Sequence, residues 1–135
     1  MIREVPKLKS KTEAYRWFID MLADAADVHE LERQLSMHGH LERLNESDLP
    51  LEPQEQQKKA FLLSLDAQQR ETLLAILAEK MAGVAHDFAA RFEEGVSLGE
   101  IQISVNGFEL GESPYTTYHY DTTCRMHGDP WPDGG

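Results

Sequence analysis

The sequence has one cysteine and no long apolar run, and both absences restrict what the chain can be. A lone cysteine, Cys124, cannot form an internal disulfide, which is typical of proteins of a reducing cytosol. No segment approaches the roughly 20 consecutive apolar residues that a membrane span needs. The charged start is not followed by the apolar stretch of a secretory signal. We therefore expect a cytoplasmic protein without a membrane segment.

Basic residues are also scarce, since 13 Lys and Arg stand against 24 Asp and Glu, and the net charge is −11. Residues 1–16 carry five basic and two acidic groups, a balance of +3. Residues 17–85 carry six and thirteen, and residues 86–135 carry two and nine, so each of these parts has −7. Such a surface repels phosphate backbones, so the body of the chain is not expected to bind nucleic acid.

Motifs of the common enzyme classes are missing as well. The sequence contains no glycine-rich phosphate loop, no G-x-S-x-G, no C-x-x-C and no H-E-x-x-H. Each of these motifs supplies a specific piece of chemistry, from phosphate binding to zinc ligation. Their absence removes the common enzymes and favours a chain that is not an enzyme.

The first predicted helix starts at Ser10, where Ser10 and Glu13 form a capping box. Its apolar pattern continues to about Met37. Two adjoining faces are apolar, and the charges form one narrow stripe: Arg16, Asp20, Asp24 and Asp27. A helix that is apolar over most of its circumference must be covered on most of it. The pattern therefore predicts a central position in the fold or a subunit contact.

Two further helices follow a loop over residues 44–53. A short helix is predicted from Pro53 to Leu63, and a long one begins at the Asp66–Gln69 cap and ends near Glu94, with Gly95 as the stop. A stripe of large side chains on the long helix is expected to fill the core, and a stripe of alanines is expected to contact a neighbouring backbone of the same chain or of a second copy. The large stripe is Leu74, Leu77, Met81, Val84 and Phe88, and the small one is Ala75, Ala78, Ala82, Ala85 and Ala89.

After Gly95 the apolar period changes to two. Ile101, Ile103 and Val105 alternate before Asn106-Gly107, which is a strong hairpin signal. Residues 115–126 are rich in Thr and Tyr, which predicts a third strand. The fold class is therefore α+β and mainly helical, with a small C-terminal antiparallel hairpin or three-stranded sheet. We expect one domain over 1–135, with a basic arm (1–9), helices (10–95), strands (96–126) and a tail rich in Pro and Gly (127–135).

The C-terminal segment provides two alternative sites. Its aromatic side chains predict a surface that binds another protein, because Tyr and Trp are enriched at interfaces: Tyr115, Tyr118, Tyr120 and Trp131. Its His and Asp side chains could instead bind a divalent metal: His119, Asp121, His127 and Asp129. In a strand, Tyr118 and Tyr120 would share one face with Cys124, while His119 and Asp121 would lie on the other.

The leading hypothesis is a non-enzymatic protein-binding module of bacterial regulatory, adaptor or immunity type, without a cofactor. Its acidic surface and aromatic C-terminal segment would bind another protein, and the apolar helix surface predicts a homodimer. The rival hypothesis is a metal-dependent enzyme or metal sensor that uses the C-terminal His and Asp residues. A third hypothesis, a mimic of DNA charge, requires an ordered array of carboxylates.

Overall fold

The structure is a computed structural model that describes residues 7–35 and 52–134. Over these residues it is mainly helical with one small antiparallel sheet, which confirms the predicted fold class. The chain forms two compact units, a first unit of residues 1–26 and 81–135 and a second unit of residues 27–80. The elements are α1 (Lys11–Asp24), α2 (Val28–Leu35), α3 (Pro53–Ser64), α4 (Ala67–Ser97), β1 (Ile103–Val105), β2 (Phe108–Leu110) and α5 (Tyr118–Met126).

The first helix begins where predicted and ends earlier. Ser10 Oγ accepts a hydrogen bond from the Glu13 N–H at 3.1 Å, and the Glu13 carboxylate accepts one from the Lys9 N–H at 2.7 Å. The helix ends at Asp24, and α2 starts at Val28 after Asp27 Oδ1 accepts a hydrogen bond from the His29 N–H. The prediction of one helix to Met37 is therefore wrong, because an aspartate that satisfies a free N–H starts a new helix. Met37 itself lies outside the described residues.

The second unit contains α2, α3 and the first part of α4. Pro53 occupies the first turn of α3, as predicted. The Asp66–Gln69 cap is reciprocal, since each backbone N–H donates to the other residue's side chain at 2.9 and 2.8 Å. Within this unit Arg70 also donates to the Leu62 carbonyl at 2.9 Å. Capping side chains thus set the start of α4, while residues 44–51 of the predicted loop lie outside the description.

The end of α4 differs from the prediction. Gly95 is a buried helical residue, and the helix ends at Ser97 before Gly99, whose φ is +73°. The Gly99 N–H bonds the Val96 carbonyl and the Glu100 N–H bonds the Gly95 carbonyl, which is the Schellman arrangement. Gly95 is glycine for a different reason, because an added Cβ would lie 2.4 Å from Ile101 Cδ1. A close approach, not a helix stop, requires glycine at this position.

The predicted hairpin is confirmed. β1 and β2 pair antiparallel, with Val105 opposite Phe108, and the turn residues Asn106 and Gly107 have φ values of +52° and +84°. Two positive φ values define the type I′ turn that suits the twist of paired strands. Val105 and Leu110 are buried, Ile103 and Phe108 pack partly buried against the core, and Ser104 and Glu109 face solvent. The alternation therefore directs one face of the hairpin into the core.

The predicted third strand is wrong, because Tyr118–Met126 is the helix α5. Thr117 caps it, with its side-chain oxygen accepting from the Tyr120 N–H at 3.2 Å. Glu93 accepts from the Tyr118 N–H at 2.9 Å and so places a negative charge at the positive end of the helix. These interactions at the N-terminus outweigh the strand preference of Thr and Tyr, which is weak and depends on context.

The core of the first unit gathers side chains from α1, α4, the hairpin, α5 and the tail, and α1 is its central helix. The buried members are Ala14, Tyr15, Phe18, Ile19, Ala89, Val105, Leu110, Tyr118 and Trp131. On this part of α4 the alanine stripe is buried, with Ala85 at 6% and Ala89 at 0% exposure. The prediction that Val84 and Phe88 fill the core is wrong, since they are 55% and 53% exposed. Among the described residues no helix is long and apolar enough to cross a membrane.

Candidate functional site

Of the four aromatic residues that were predicted to bind a partner, the structure places three around Tyr15 and leaves Tyr120 exposed. Tyr118 is fully buried and Trp131 is 5% exposed, so both belong to the core of the first unit. Tyr115 is half-buried, and Tyr120 is exposed on α5. Tyr118 and Tyr120 face different ways because they are two residues apart on α5, where each residue turns the side chain by about 100°. Of the predicted set, Tyr120 and part of Tyr115 are accessible to a partner in this conformation.

The buried aromatic rings form one cluster between α1, α5 and the tail. Tyr15 packs edge-on against Tyr118 with ring centroids 5.1 Å apart, and Tyr115 stacks on Trp131 at 5.0 Å. Tyr15 also lies within 6.2 Å of Tyr115 and 6.3 Å of Trp131. Such pairs stabilise by about 0.5–1.5 kcal/mol each beyond the burial of their area. The cluster fixes the tail against α1.

A buried carboxylate lies beside this cluster. Asp121 is 5% exposed, and its Oδ2 accepts hydrogen bonds from Tyr15 Oη at 2.5 Å and from Ser113 Oγ at 2.6 Å. Burial, together with the neighbouring Asp121, raises the pKa of Tyr15 well above its usual value. Tyr15 therefore acts as a hydrogen-bond donor rather than as a base. The arrangement fits a satisfied structural carboxylate, since buried charges require such donors.

Two arginines of the first unit fasten its C-terminal part. Arg16 donates to Tyr115 Oη at 2.7 Å and pairs with Asp133, and Arg125 donates to Asp20 Oδ1 at 2.7 Å. The Arg125 guanidinium also lies 4.9 Å from the centre of the Trp131 ring. Although burial alone would raise the pKa of Asp133, the hydrogen bonds from Tyr115 and Arg16 lower it. The charged stripe of α1 thus binds α5 and the tail.

The four predicted metal ligands point to different surroundings. His119 Nδ1 lies 3.3 Å from Glu93 Oε1, and its ring packs edge-on against the His86 ring at 5.0 Å. Asp121 is occupied by the two hydroxyls described above, while His127 ends α5 and Asp129 is exposed. Within residues 7–35 and 52–134 no group of three or more His, Cys, Asp or Glu side chains is placed to hold a metal ion. The metal hypothesis stays a prediction that measurement of the metal content would test.

One small pocket lies between the first turn of α1 and the end of β2. Its volume is about 230 Å³, and its lining is Lys11, Thr12, Tyr15, Leu110, Gly111, Glu112 and Pro114. Pockets for small molecules usually measure about 300–1,000 Å³. Lys11 and Glu112 bring opposite charges to its lining, so the pocket favours no particular charge of ligand. It gives no support to a small-molecule activity.

Four exposed apolar side chains of the first unit lie along α4 and in the loop after it, and we name this row the α4 stripe. It consists of Val84, Phe88, Leu98 and Ile101, which are 55%, 53%, 64% and 39% exposed. Ile101 lies over Gly95 and fills the place in the row where the helix has no side chain. Scattered exposed apolar residues are ordinary, but a group of them on one face of a helix can mark an interaction surface.

The residues that fasten the C-terminal part of the first unit were not predicted, although one local signal points to two of them, Asp121 and Arg125. Thr117, with Tyr118 and Thr122 at helical spacing after it, would have predicted the start of α5. A helix there turns Asp121 inward and places Arg125 one turn later. The pairing of Arg16 with Asp133 has no local signal, because 117 residues separate the partners.

The profile of one protein family matches residues 8–133, and it is described as "Family of unknown function (DUF6547)". No curated protein and no solved structure matches the chain. The matched range runs from just before α1 to the tail aspartate Asp133, and it therefore includes the fastened C-terminal segment.

Proposed function

The chain belongs to the DUF6547 family, whose function is unknown, and we propose from its own residues that it is a non-enzymatic module that binds a basic partner protein. Such a module would serve in regulation, as an adaptor or as an immunity-like inhibitor. The lone cysteine supports a cytoplasmic location for it. No cofactor is part of the proposal.

The supporting observation is the unbalanced surface charge of residues 86–135. Residues 86–135 contain two basic groups, and one of them, Arg125, is already bonded to Asp20. Seven of the nine acidic residues there are exposed: Asp87, Glu94, Glu100, Glu109, Glu112, Asp129 and Asp133. A field of one sign raises the rate at which an oppositely charged protein is encountered and selects against wrong partners.

The aromatic cluster supports the proposal indirectly. Because Tyr118 and Trp131 are buried, they hold the acidic segment in place and do not contact the partner themselves. A fixed surface loses less conformational entropy on binding than a disordered one. Tyr120 is the aromatic residue of the predicted set that remains exposed enough for direct contact. The proposal therefore keeps Tyr120 and replaces the buried residues with the exposed carboxylates.

The predicted homodimer is a separate part of the proposal, and light scattering of the purified protein tests it. The helix surface available for a dimer contact is smaller than the sequence predicted. Ala85 and Ala89 are buried within the first unit, so this part of the alanine stripe does not face a second copy.

Two charge variants with equal net charge test the main proposal. In the first, Glu100, Glu109 and Glu112 become lysine, and in the second the exposed residues Glu52, Glu71 and Glu79 of the second unit become lysine. Proteins captured from cytosol by the wild type should be lost from the first variant, be kept by the second, and be released as salt is raised. Equal capture by wild type and both variants, or capture that salt does not weaken, would refute an acidic binding surface.

A further inference from the structure

We infer that the α4 stripe is where the partner docks, and that the docking segment of the partner is an amphipathic helix with basic residues beside its apolar face. The inference rests on the proposed function in one respect, since it takes the partner to be a basic protein. It goes further by assigning the contact surface and the chemistry of the segment that it fits.

The shape of the stripe selects a helix. Val84, Phe88 and Leu98 lie within about 80° of one another around α4 and extend over about 21 Å along its axis. The positions of the row, 84, 88, 91, 95 and 98, are spaced four and three residues apart, which is the repeat that seats the side chains of a second helix. Gly95 has no side chain, and Ile101 covers its place in the row. Arg91 is therefore the one position of the row that is not apolar.

The charges beside the stripe select a basic partner. Asp87 and Glu94 are exposed and lie seven residues apart, so both project from the same edge of the row. Arg91 lies between them and can neutralise one, while Glu100 adds a further carboxylate at the end of α4. The other edge turns toward the core, where Ala85 and Ala89 are buried. A docking helix therefore meets excess negative charge on the edge that faces solvent.

A second copy of the chain fits this surface poorly. In an antiparallel pair of α4 helices the edge that carries Asp87 and Glu94 would face the same acidic edge of the other copy. In a parallel pair in register, Arg91 would face Arg91 across the seam. Both arrangements bring like charges together, and each copy carries a net charge of −11. At the α4 stripe, the charge pattern thus favours a basic helix over a second copy of the chain.

A synthetic peptide tests the inference directly. It has about 18 residues, enough for five helical turns, with leucine at alternating spacings of three and four and lysine elsewhere. Its controls are a scrambled peptide of the same composition and a peptide with glutamate in place of lysine. Binding to the full-length protein is followed by fluorescence anisotropy at two salt concentrations. The lysine peptide should bind best, and its binding should weaken as salt is raised.

Substitutions on the protein locate the peptide. Phe88→Glu and Leu98→Glu should each weaken binding about tenfold, which is the loss of one central apolar contact. The double variant Asp87→Lys with Glu94→Lys should weaken it severalfold. Phe61→Glu in α3 is the matched control, because Phe61 belongs to the second unit and is 54% exposed, about as much as Phe88 at 53%. Circular dichroism of each variant establishes that it is folded.

Any of four results would overturn the inference. The scrambled peptide could bind as well as the spaced one, Phe61→Glu could abolish binding while Phe88→Glu does not, or Phe88→Glu could convert a stable dimer into a monomer. The third result would assign the stripe to a second copy. Loss of capture by the charge variants of the first unit, with normal capture by Phe88→Glu, would refute the docking stripe and leave the proposed function intact.

Discussion

Replacing Tyr15 by phenylalanine removes one oxygen atom from the core of the first unit and leaves the ring in place. That oxygen donates to Asp121 Oδ2 at 2.5 Å, and Tyr15 is 2% exposed. A hydrogen bond to a charged group contributes about 1.5–3 kcal/mol, and a buried carboxylate that loses a donor is not compensated by water. We expect the variant to lose about 2 kcal/mol of unfolding free energy, or roughly 8 °C of melting temperature at about 4 °C per kcal/mol.

Tryptophan fluorescence is the suitable assay, because both tryptophans, Trp17 and Trp131, belong to the first unit. Urea unfolding followed by this signal gives the free energy of that unit. Tyr120→Phe is the control, since Tyr120 is exposed and should change stability by less than about 0.5 kcal/mol. If Tyr15→Phe stays within the same limit, the hydrogen bond to Asp121 does not hold the core together.

Alkaline pH gives an independent check on the same residue. Burial raises the pKa of Tyr15, so the folded protein keeps its proton while the unfolded chain releases one above about pH 10. The contribution of Tyr15 to stability is complete below that pH and decreases as the pH rises further, by about 1.4 kcal/mol per unit. Tyr15→Phe should remove this one-proton slope, and an unchanged slope would contradict the assignment. Burial also raises the pKa of Tyr118, to about 12, so part of the slope should remain.

Three other outcomes follow from the geometry. Trp131→Ala should cost about 3–5 kcal/mol, because a buried ring is lost from the core, and a smaller loss in urea unfolding would show that the tail is dispensable. Gly95→Ala should lower the melting temperature although alanine favours helices by about 1 kcal/mol, since the new Cβ would meet Ile101; a rise would contradict the close approach. The pKa of Asp133 is lowered in the folded protein, so its ion pair contributes above the usual carboxyl pKa near 3.8 and is lost as the pH falls through the lowered value. Tryptophan fluorescence should therefore change in acid for the wild type and less for Asp133→Asn.

Features that depend on neighbouring residues could be predicted from the sequence. The caps at Ser10 and Asp66 and the turn at Asn106-Gly107 occur as expected, because each is decided by atoms within a few residues. The same local logic fails where two signals compete. Residues 118–126 contain β-favouring Thr and Tyr, yet a cap at Thr117 and the carboxylate of Glu93 stabilise a helix. Glu93 is 25 residues from Tyr118 in the sequence, so residue spacing does not predict the hydrogen bond between them.

The buried side of α4 shows a second limit. Periodicity identified two stripes, and the larger side chains were expected to fill the core. In the first unit the alanines are buried instead, because α1 brings its own large rings, Phe18 and Tyr15, into the space between the helices. Facing positions must share a fixed volume, so large residues on one helix require small ones opposite. Which of two packed helices contributes the large side chains depends on both helices, and it cannot be predicted from the sequence of either one alone.

The packing of large side chains of α1 opposite small ones of α4 also explains why the α4 stripe is exposed. Since the rings of α1, α5 and the tail already fill the core, Val84 and Phe88 project on the other side of α4. Exposure of two large side chains one turn apart costs free energy that burial would recover, at about 25 cal/mol per Å² of apolar surface. A partner helix would recover part of that free energy, and the carboxylates at the solvent edge would select basic helices among the candidates. The packing of the core therefore leaves exposed the surface at which we propose that a partner helix binds.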